Sequence, residues 1–259
     1  MSEKDVPVRT ERHGRVLLIT LHRPHARNAV NPALAASLES AVDDLEHDED
    51  LWAGVLTGEG PVFCAGADLN TVAGGNFPEL LTHRGGFAGF VRRERSKPIV
   101  AALDGDALAG GMELAIACDL IIAAEGVRLG IPETARSLLA IGGGLANLPR
   151  LIGEKAALEL ALTAAPWPAE RLATLGLISR TVPAGTARDA ALDLATEICG
   201  NAPLAVRGAR RAILAGRDHT EDERWALAER ELAALEGTQD YHEGSRSFVA
   251  KRAPRWTGR

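Results

Sequence analysis

Short apolar runs, separated by glycine, proline and charged residues, follow one another through the first two thirds of the chain. Their lengths and the turn residues around them are typical of buried strands. A His13-Gly14 turn predicts a hairpin of residues 6–12 and 15–21. Further strands are predicted at residues 52–57, 99–103, 120–124, 127–131 and 177–182, and another strand is predicted to start at Val62 and run into the small residues before Asp68.

Apolar residues at helical spacing lie between these strands. Asn31-Pro32 has the residues of a helix start, and Leu34 and Leu38 continue the period, so a helix is predicted over residues 32–47. Helices are also predicted at residues 154–163 and 168–175 and in part of 78–95, and the glycine-rich residues 71–76 are expected to be mobile. This alternation predicts an α/β fold.

The pattern becomes helical from residue 186 onward, with apolar stripes at 187–198, 205–214 and 225–235. We therefore predict a mixed α/β core in residues 1–200 and a helical C-terminal region in residues 201–259.

Composition narrows the class of protein. A chain of 259 residues with 46% hydrophobic residues can bury a large core without disulfides. Its formal net charge of −6 gives no basic surface for nucleic acid or an anionic membrane. Three widely spaced cysteines, a charged N-terminus and the lack of a long apolar run predict a soluble cytoplasmic protein.

The strongest candidate for a chemical site is the sequence AGGMEL at residues 109–114. A predicted strand runs into these small residues, and a helix begins near Gly110, which places Glu113 in its first turn. Glycine lets a ligand approach the backbone, and the N–H groups of a helix start can donate to an anion or a developing oxyanion. The residues have the outline of an oxyanion hole.

A second carboxylate, Glu133, follows Pro132 after two predicted strands. Taken alone, either glutamate could simply favour a helix start or cap a turn. Two carboxylates beside backbone donors, however, suit proton transfer at carbons next to a polarised carbonyl. A similar strand-to-helix turn occurs at residues 63–69, so each turn can direct one N–H at the same carbonyl oxygen.

Other chemistries fit the sequence less well. The glycines at residues 142–144 are not followed by the Lys-Ser/Thr of a phosphate-binding loop. Cys64 has no histidine nearby in sequence and is interpreted as a buried thiol. The histidines lack metal-ligand spacing, so no metal site is predicted.

Several motifs together resemble the enoyl-CoA hydratases of the crotonase superfamily along the whole chain. Residues 21–29 (LHRPHARNA) resemble the family's first CoA-contacting loop, and residues 63–69 (FCAGADL) its first oxyanion segment. Residues 109–113 with Cys118-Asp119 resemble the second oxyanion segment, and Pro132-Glu133 the position of the second catalytic glutamate. The C-terminal residues 243–252 also fit.

The resemblance implies a ββα spiral core, a helical trimerisation region and a homotrimer or dimer of trimers. It implies that Ala67 and Gly110 supply the two N–H donors and that Glu113 and Glu133 form the acid/base pair. The residues that it places at CoA are His25, Arg27, Ala29, Ala65, Asp68, Leu69 and Lys251. Coenzyme A would be part of the acyl-CoA substrate, and no separate cofactor is expected.

Hydration of a 2-enoyl-CoA is the activity that this resemblance and the two glutamates favour. The alternatives are a double-bond isomerase, another acyl-CoA lyase or hydrolase of the same fold, and a non-catalytic acyl-CoA binder. After Glu133, the sequence SLLAI at residues 137–141 replaces the Pro-Gly turn and Thr-Gln pair common in straight-chain hydratases. The sequence therefore leaves the identity of the substrate's acyl group open.

Overall fold

A six-stranded sheet forms one side of the core in the computed structural model, which describes residues 6–216 and 219–259. Its strands, in spatial order, are β1 (Val8–His13), β2 (Val16–Leu21), β3 (Ala53–Gly58), β7 (Ile99–Leu103), β9 (Leu120–Ala124) and β12 (Arg180–Val182). The first pair is the predicted antiparallel hairpin, and the remaining neighbours are parallel. The strands β3 and β7 are almost entirely buried, which explains their continuous apolar sequences.

A smaller sheet lies beside the first. Its strands, in spatial order, are β11 (Trp167–Pro168), β10 (Arg128–Gly130), β8 (Asp106–Leu108) and β4 (Val62–Cys64). A short hairpin of β5 (Leu81–Thr82) and β6 (Gly86–Phe87) stands apart. Three times along the chain, one strand of the large sheet is followed by one strand of the small sheet and then by a helix or helical turn. The sequence predicts this unit near residues 52–70 and 99–119.

Ten helices connect and cover the sheets in the described ranges. They are α1 (Pro32–His47), α2 (Leu69–Ala73), α3 (Gly110–Ala117), α4 (Gly144–Ile152), α5 (Glu154–Thr163), α6 (Ala169–Thr174), α7 (Ala187–Cys199), α8 (Pro203–Ala215), α9 (Glu221–Glu236) and α10 (Gln239–Val249). The predicted start of α1 is confirmed, because the Asn31 side chain accepts a hydrogen bond from the N–H of Leu34. No helix in these ranges combines the length and the apolar character that a bilayer crossing requires.

The helix expected in part of residues 78–95 is wrong. This segment contains a 3₁₀ turn at Phe77–Leu80, the β5–β6 hairpin and further turns. Gly86, Ala88 and Gly89 have positive φ angles, which a right-handed helix does not allow. Part of the glycine-rich segment 71–76 is helical, since α2 continues to Ala73 before Gly74 ends it.

Largely buried polar contacts join α8 to the core and hold the C-terminal residues against α10. Arg210 on α8 forms an ion pair with Asp119 at 2.8 Å, and both side chains are largely buried. Asp240 on α10 accepts hydrogen bonds from the N–H groups of Thr257 and Gly258, which folds the last residues back onto the helix. We propose that the mixed α/β core ends near residue 200 and that the helical C-terminal region follows it.

Candidate active site

The two strand-to-helix turns and the Glu133 turn surround one cavity of about 510 Å³. Two glutamates and two arginines supply its charged groups: Glu113, Glu133, Arg27 and Arg136. Most of its wall is apolar and includes Val72, Phe77, Phe87, Leu108, Pro132, Leu138, Leu139 and Ile141. A concave apolar pocket with a few converging charged groups is the usual form of a small-molecule site.

The β4–α2 and β8–α3 turns touch each other at the floor of this cavity. Gly66 has a φ angle of 90°, and a Cβ atom there would lie 2.7 Å from Ala109 Cβ and 2.9 Å from the Gly110 nitrogen. Ala109 has φ 53° and ψ −129°, a conformation that costs a non-glycine residue about 1–3 kcal/mol. The close approach of the two turns therefore requires glycine at position 66 and a strained backbone at position 109.

Two backbone N–H groups at this contact have no hydrogen-bond partner among the described residues. Val30 pairs with the turn through the carbonyl of Gly66 and the N–H of Asp68, so the N–H of Ala67 lies between these bonds and takes no part in them. Gly110 is the first residue of α3, where an N–H has no partner within the helix. Both residues line the cavity. The geometry suits an oxyanion hole formed by two main-chain donors.

Cys64 supports the first turn from behind. Its thiol donates to the carbonyl oxygen of Asn28 at 3.1 Å, and its sulfur accepts from the N–H of Gly66 at 3.4 Å. Complete burial raises the pKa of this thiol to about 12, so it remains protonated. Cys64 is thus a buried structural thiol, as the sequence predicts, and not a nucleophile.

Glu113 projects from the first turn of α3 and is only 4% exposed. Its Oε1 accepts a hydrogen bond from the N–H of Gly144 at 2.9 Å. A Cβ atom would lie 2.5 Å from Glu113 Oε2 at Gly142 and 3.1 Å from Glu113 Oε1 at Gly144, so these two glycines make room for the carboxylate. Burial, with a smaller effect of the negative charge of Glu133, raises the pKa of Glu113 to about 7.

Glu133 lies on the 3₁₀ turn Pro132–Arg136 and is half-buried. Burial raises the pKa of its carboxyl group, while the positive charge of Arg136 acts in the opposite direction. Its Oε2 atom is buried and has no hydrogen-bond partner among the described residues. A buried oxygen without a partner is expected to bind water or a ligand, because leaving it unpaired costs about 1–3 kcal/mol.

The residues predicted to contact CoA fall into two groups. Arg27, Ala65 and Leu69 line the cavity, whereas His25, Ala29, Asp68 and Lys251 do not. The Asp68 side chain caps α2 and forms an ion pair with Arg23 at 3.2 Å, which connects the two loops expected at CoA. Lys251 is exposed just after α10. The CoA contacts of all seven residues stay predictions.

Sequence reasoning overlooked several residues of the site. Phe77 and Phe87 come from the segment whose local structure was predicted wrongly. Arg136 could have been identified, because it follows Glu133 by three residues and the two side chains share a face in a 3₁₀ turn. In the described ranges, no group of His, Cys, Asp or Glu side chains is arranged to hold a metal ion.

The raised pKa of Glu113 predicts a pH-dependent effect on stability. A carboxyl group whose pKa rises from 4.5 to about 7 on folding binds its proton more tightly in the folded protein. Its contribution to stability is therefore present below pH 4.5 and is lost as the pH rises to about 7. Between pH 5 and pH 8, Glu113→Gln should gain about 2 kcal/mol in free energy of unfolding relative to the parent protein.

Urea unfolding at several pH values measures this difference. The matched control is Glu125→Gln, at an exposed glutamate on the turn after β9. A difference between Glu113→Gln and the parent that does not change with pH would show that burial of Glu113 has no such cost.

Known proteins that resemble this chain act on acyl-CoA thioesters, in agreement with the geometry of the cavity. Residues 11–259 match the family model described as enoyl-CoA hydratase/isomerase. The chain is 35% identical to a mevalonyl-coenzyme A hydratase of Aspergillus fumigatus (93% of this chain, 91% of that protein) and 34% identical to a 2,3-dehydroadipyl-CoA hydratase of Escherichia coli (96% and 97%).

A solved enoyl-CoA hydratase structure from Mycobacterium tuberculosis H37Rv is 44% identical and superposes with a TM-score of 0.94, covering 98% of this chain and 100% of the other. These matches confirm the crotonase-like fold and the resemblance drawn from the sequence motifs. The chain belongs to the enoyl-CoA hydratase/isomerase family of the crotonase superfamily and is an enzyme that acts on acyl-CoA.

Proposed function

We propose that this protein is an enoyl-CoA hydratase that adds water across the 2,3 double bond of a 2-enoyl-CoA. The observation that carries the proposal is the position of two carboxylates, the buried Glu113 and the half-buried Glu133, in the same cavity as the Ala67 and Gly110 N–H groups, which have no hydrogen-bond partner among the described residues. One carboxylate can move the proton from C2 to C4 in an isomerisation, whereas addition of water is suited to two groups, one that takes a proton from water and one that gives a proton to C2. Both carboxyl groups have raised pKa values, as proton transfer near neutral pH requires.

The reaction follows from these positions. The thioester oxygen accepts hydrogen bonds from Ala67 and Gly110, which withdraws electrons from the double bond and makes C3 electrophilic. One carboxylate takes a proton from water as its oxygen bonds to C3, and the other carboxyl group, protonated, gives a proton to C2. The thioester has then gained one water molecule, and the pair holds the same total number of protons with their positions reversed. Proton exchange with water returns the two carboxyl groups to their starting states.

The proposed orientation places CoA at the two loops that carry Arg27 and Ala65. The N–H of Ala65 donates to the carbonyl oxygen of Arg27 at 3.0 Å, so the two loops are hydrogen-bonded to each other. His25, Ala29, Asp68, Leu69 and Lys251 complete the proposed surroundings of CoA. With the thioester carbonyl group at Ala67 and Gly110, the acyl chain extends toward Glu133 and the apolar wall.

Initial rates on matched thioesters test the proposal. The protein should hydrate 2-enoyl-CoA substrates and should isomerise 3-enoyl-CoA substrates of the same length far more slowly. Rapid isomerisation without hydration would favour the isomerase alternative, and release of free CoA would favour a hydrolase. Tight acyl-CoA binding without turnover of any of them would identify a non-catalytic binder.

We also propose a trimer or a dimer of trimers. Large apolar side chains are exposed on the C-terminal helices, among them Ile213, Trp225, Leu232 and Phe248, the last being 85% exposed. Exposed apolar residues on neighbouring helices are typical of protein–protein contacts. Light scattering at micromolar concentration should give the mass of three or six chains, and a monomeric mass would contradict the proposal.

The acyl group is a separate question. The two curated relatives compared above are named for different acyl groups, mevalonyl and 2,3-dehydroadipyl, at nearly equal identity to this chain. Overall similarity therefore does not select a substrate, and the residues of the cavity wall have to be considered individually.

A further inference from the structure

Arg136 is a charged side chain in a wall that is otherwise mainly apolar. It lies at the last position of the 3₁₀ turn Pro132–Arg136 and lines the same cavity as Glu133. Side chains three residues apart eclipse one another in a 3₁₀ helix, so Arg136 is directed to the same side as Glu133. Ser137, with φ 55°, then ends the turn and leads to the apolar residues Leu138 and Leu139.

The guanidinium of Arg136 has no anionic partner in the described part of the chain. No carboxylate oxygen there lies within 4.0 Å of it, and it donates no hydrogen bond to a described residue. Other arginines, such as Arg23 and Arg128, are paired with aspartates at 3.2 Å and 2.6 Å. Arg136 influences the Glu133 carboxyl group only through its charge, since Glu133 Oε2 remains without a hydrogen bond.

An unpaired guanidinium beside the acyl chain affects which substrates fit. Arg136 is exposed at the edge of the cavity, so water hydrates its guanidinium in the free protein. A purely apolar acyl chain that covers part of the guanidinium would remove this water and supply no partner, which is unfavourable. A carboxylate would accept two parallel hydrogen bonds from the planar guanidinium, the geometry for which arginine is best suited. Arg27, the other arginine of the cavity, lies on the loop proposed to hold CoA, so it does not compete for the acyl end.

We infer that Arg136 selects 2-enoyl-CoA substrates whose acyl chain carries a carboxylate beyond the double bond. The inference rests on the proposed function for the orientation of the acyl chain, with C2 and C3 beside the glutamates and the distal carbons near Arg136. Arg136 would act as a specificity residue, in contact with a part of the substrate that does not react. The substrate carboxylate would also neutralise the positive charge of Arg136, which in the free protein acts on Glu133.

Binding of saturated thioesters tests the inference without any need for turnover. Adipyl-CoA is compared with hexanoyl-CoA, and suberyl-CoA with octanoyl-CoA, by calorimetric titration of the parent protein, Arg136→Gln, Arg136→Lys and the control Arg188→Gln. Arg188 is an exposed arginine on α7 that does not line the cavity. The parent should bind the carboxylated member of at least one pair about 10–100-fold more tightly, as expected for a charge-assisted pair of hydrogen bonds.

Arg136→Gln should abolish this preference without weakening the binding of the apolar thioester. Arg136→Lys should keep part of it, because lysine retains the charge and loses the planar fork, and Arg188→Gln should keep all of it. Equal affinity of the parent for both members of each pair would overturn the inference. So would a preference that persists in Arg136→Gln.

Hydration rates separate this inference from the proposed function. The ratio of kcat/KM for the carboxylated and apolar 2-enoyl-CoA of equal length should fall about 10–100-fold in Arg136→Gln. The ratio is the proper measure, because loss of the positive charge also acts on Glu133 and would change both rates together. Hydration with no such preference would overturn the inference alone, whereas selective binding without hydration would support it and contradict the hydratase proposal.

Discussion

Replacing Glu113 or Glu133 with glutamine is expected to lower kcat for hydration of a 2-enoyl-CoA by about 10²–10⁴-fold in each case. Glutamine keeps the shape of the side chain and can still accept a hydrogen bond from Gly144 at position 113, but it cannot transfer a proton. Affinity for a saturated acyl-CoA should change little, because the walls of the cavity and the Ala67 and Gly110 donors are unaltered. Steady-state rates and calorimetric titration of both variants measure the two quantities.

Two further proteins complete this experiment. The double variant should be far less impaired than the product of the single effects, because both groups act on one step and the oxyanion donors still operate. Glu125→Gln, at the exposed glutamate between β9 and β10, should leave kcat unchanged. Full hydratase activity in Glu113→Gln or Glu133→Gln would contradict the pairing of the two carboxylates.

Gly66→Ala is expected to lower kcat/KM for hydration by about 10²–10³-fold, the usual effect of losing one oxyanion donor. The added methyl group would lie 2.7 Å from Ala109 Cβ and 2.9 Å from the Gly110 nitrogen, so the two turns must move apart. Their N–H groups would then no longer converge on one oxygen atom. Initial rates on a 2-enoyl-CoA measure the effect.

Gly126→Ala separates this effect from the general cost of a positive φ angle. Gly126 has a φ angle of 81°, near the 90° of Gly66, but a Cβ atom there would meet nothing within 4 Å. Both variants should lose stability in thermal unfolding, and only Gly66→Ala should lose activity in its folded fraction. Normal activity of folded Gly66→Ala would show that the contact between the turns is not needed for catalysis.

Local sequence signals predict much of this fold correctly, where backbone chemistry and burial agree. The hairpin of β1 and β2 follows a turn residue between two strand-like runs, and α1 begins at the Asn31 cap. Glu113 could be placed in the first turn of a helix because glycines precede it and an apolar helix follows. The glutamate pair also depended on resemblance to a family, because spacing along the chain does not show that residues 113 and 133 meet.

Contacts between distant residues account for what the sequence did not predict. Residues 78–95 contain long stretches compatible with a helix, but Gly89 lies against the backbone of α1, where a Cβ atom would be 2.5 Å from the Ala35 carbonyl oxygen. The glycines at 142 and 144 have a role only because α3 brings Glu113 beside them. Arg136 is a candidate specificity residue because it lines the cavity without an anionic partner among the described residues, which only the three-dimensional structure reveals.

Product analysis after turnover in ¹⁸O-labelled water tests the proposed activity most directly. A 2-enoyl-CoA is incubated with the parent protein, and the products are examined by mass spectrometry. The two-glutamate mechanism predicts a 3-hydroxyacyl-CoA that carries ¹⁸O in its hydroxyl group, with the thioester intact. An unlabelled enoyl isomer, or a free acid with ¹⁸O in its carboxyl group, as the main product would contradict it.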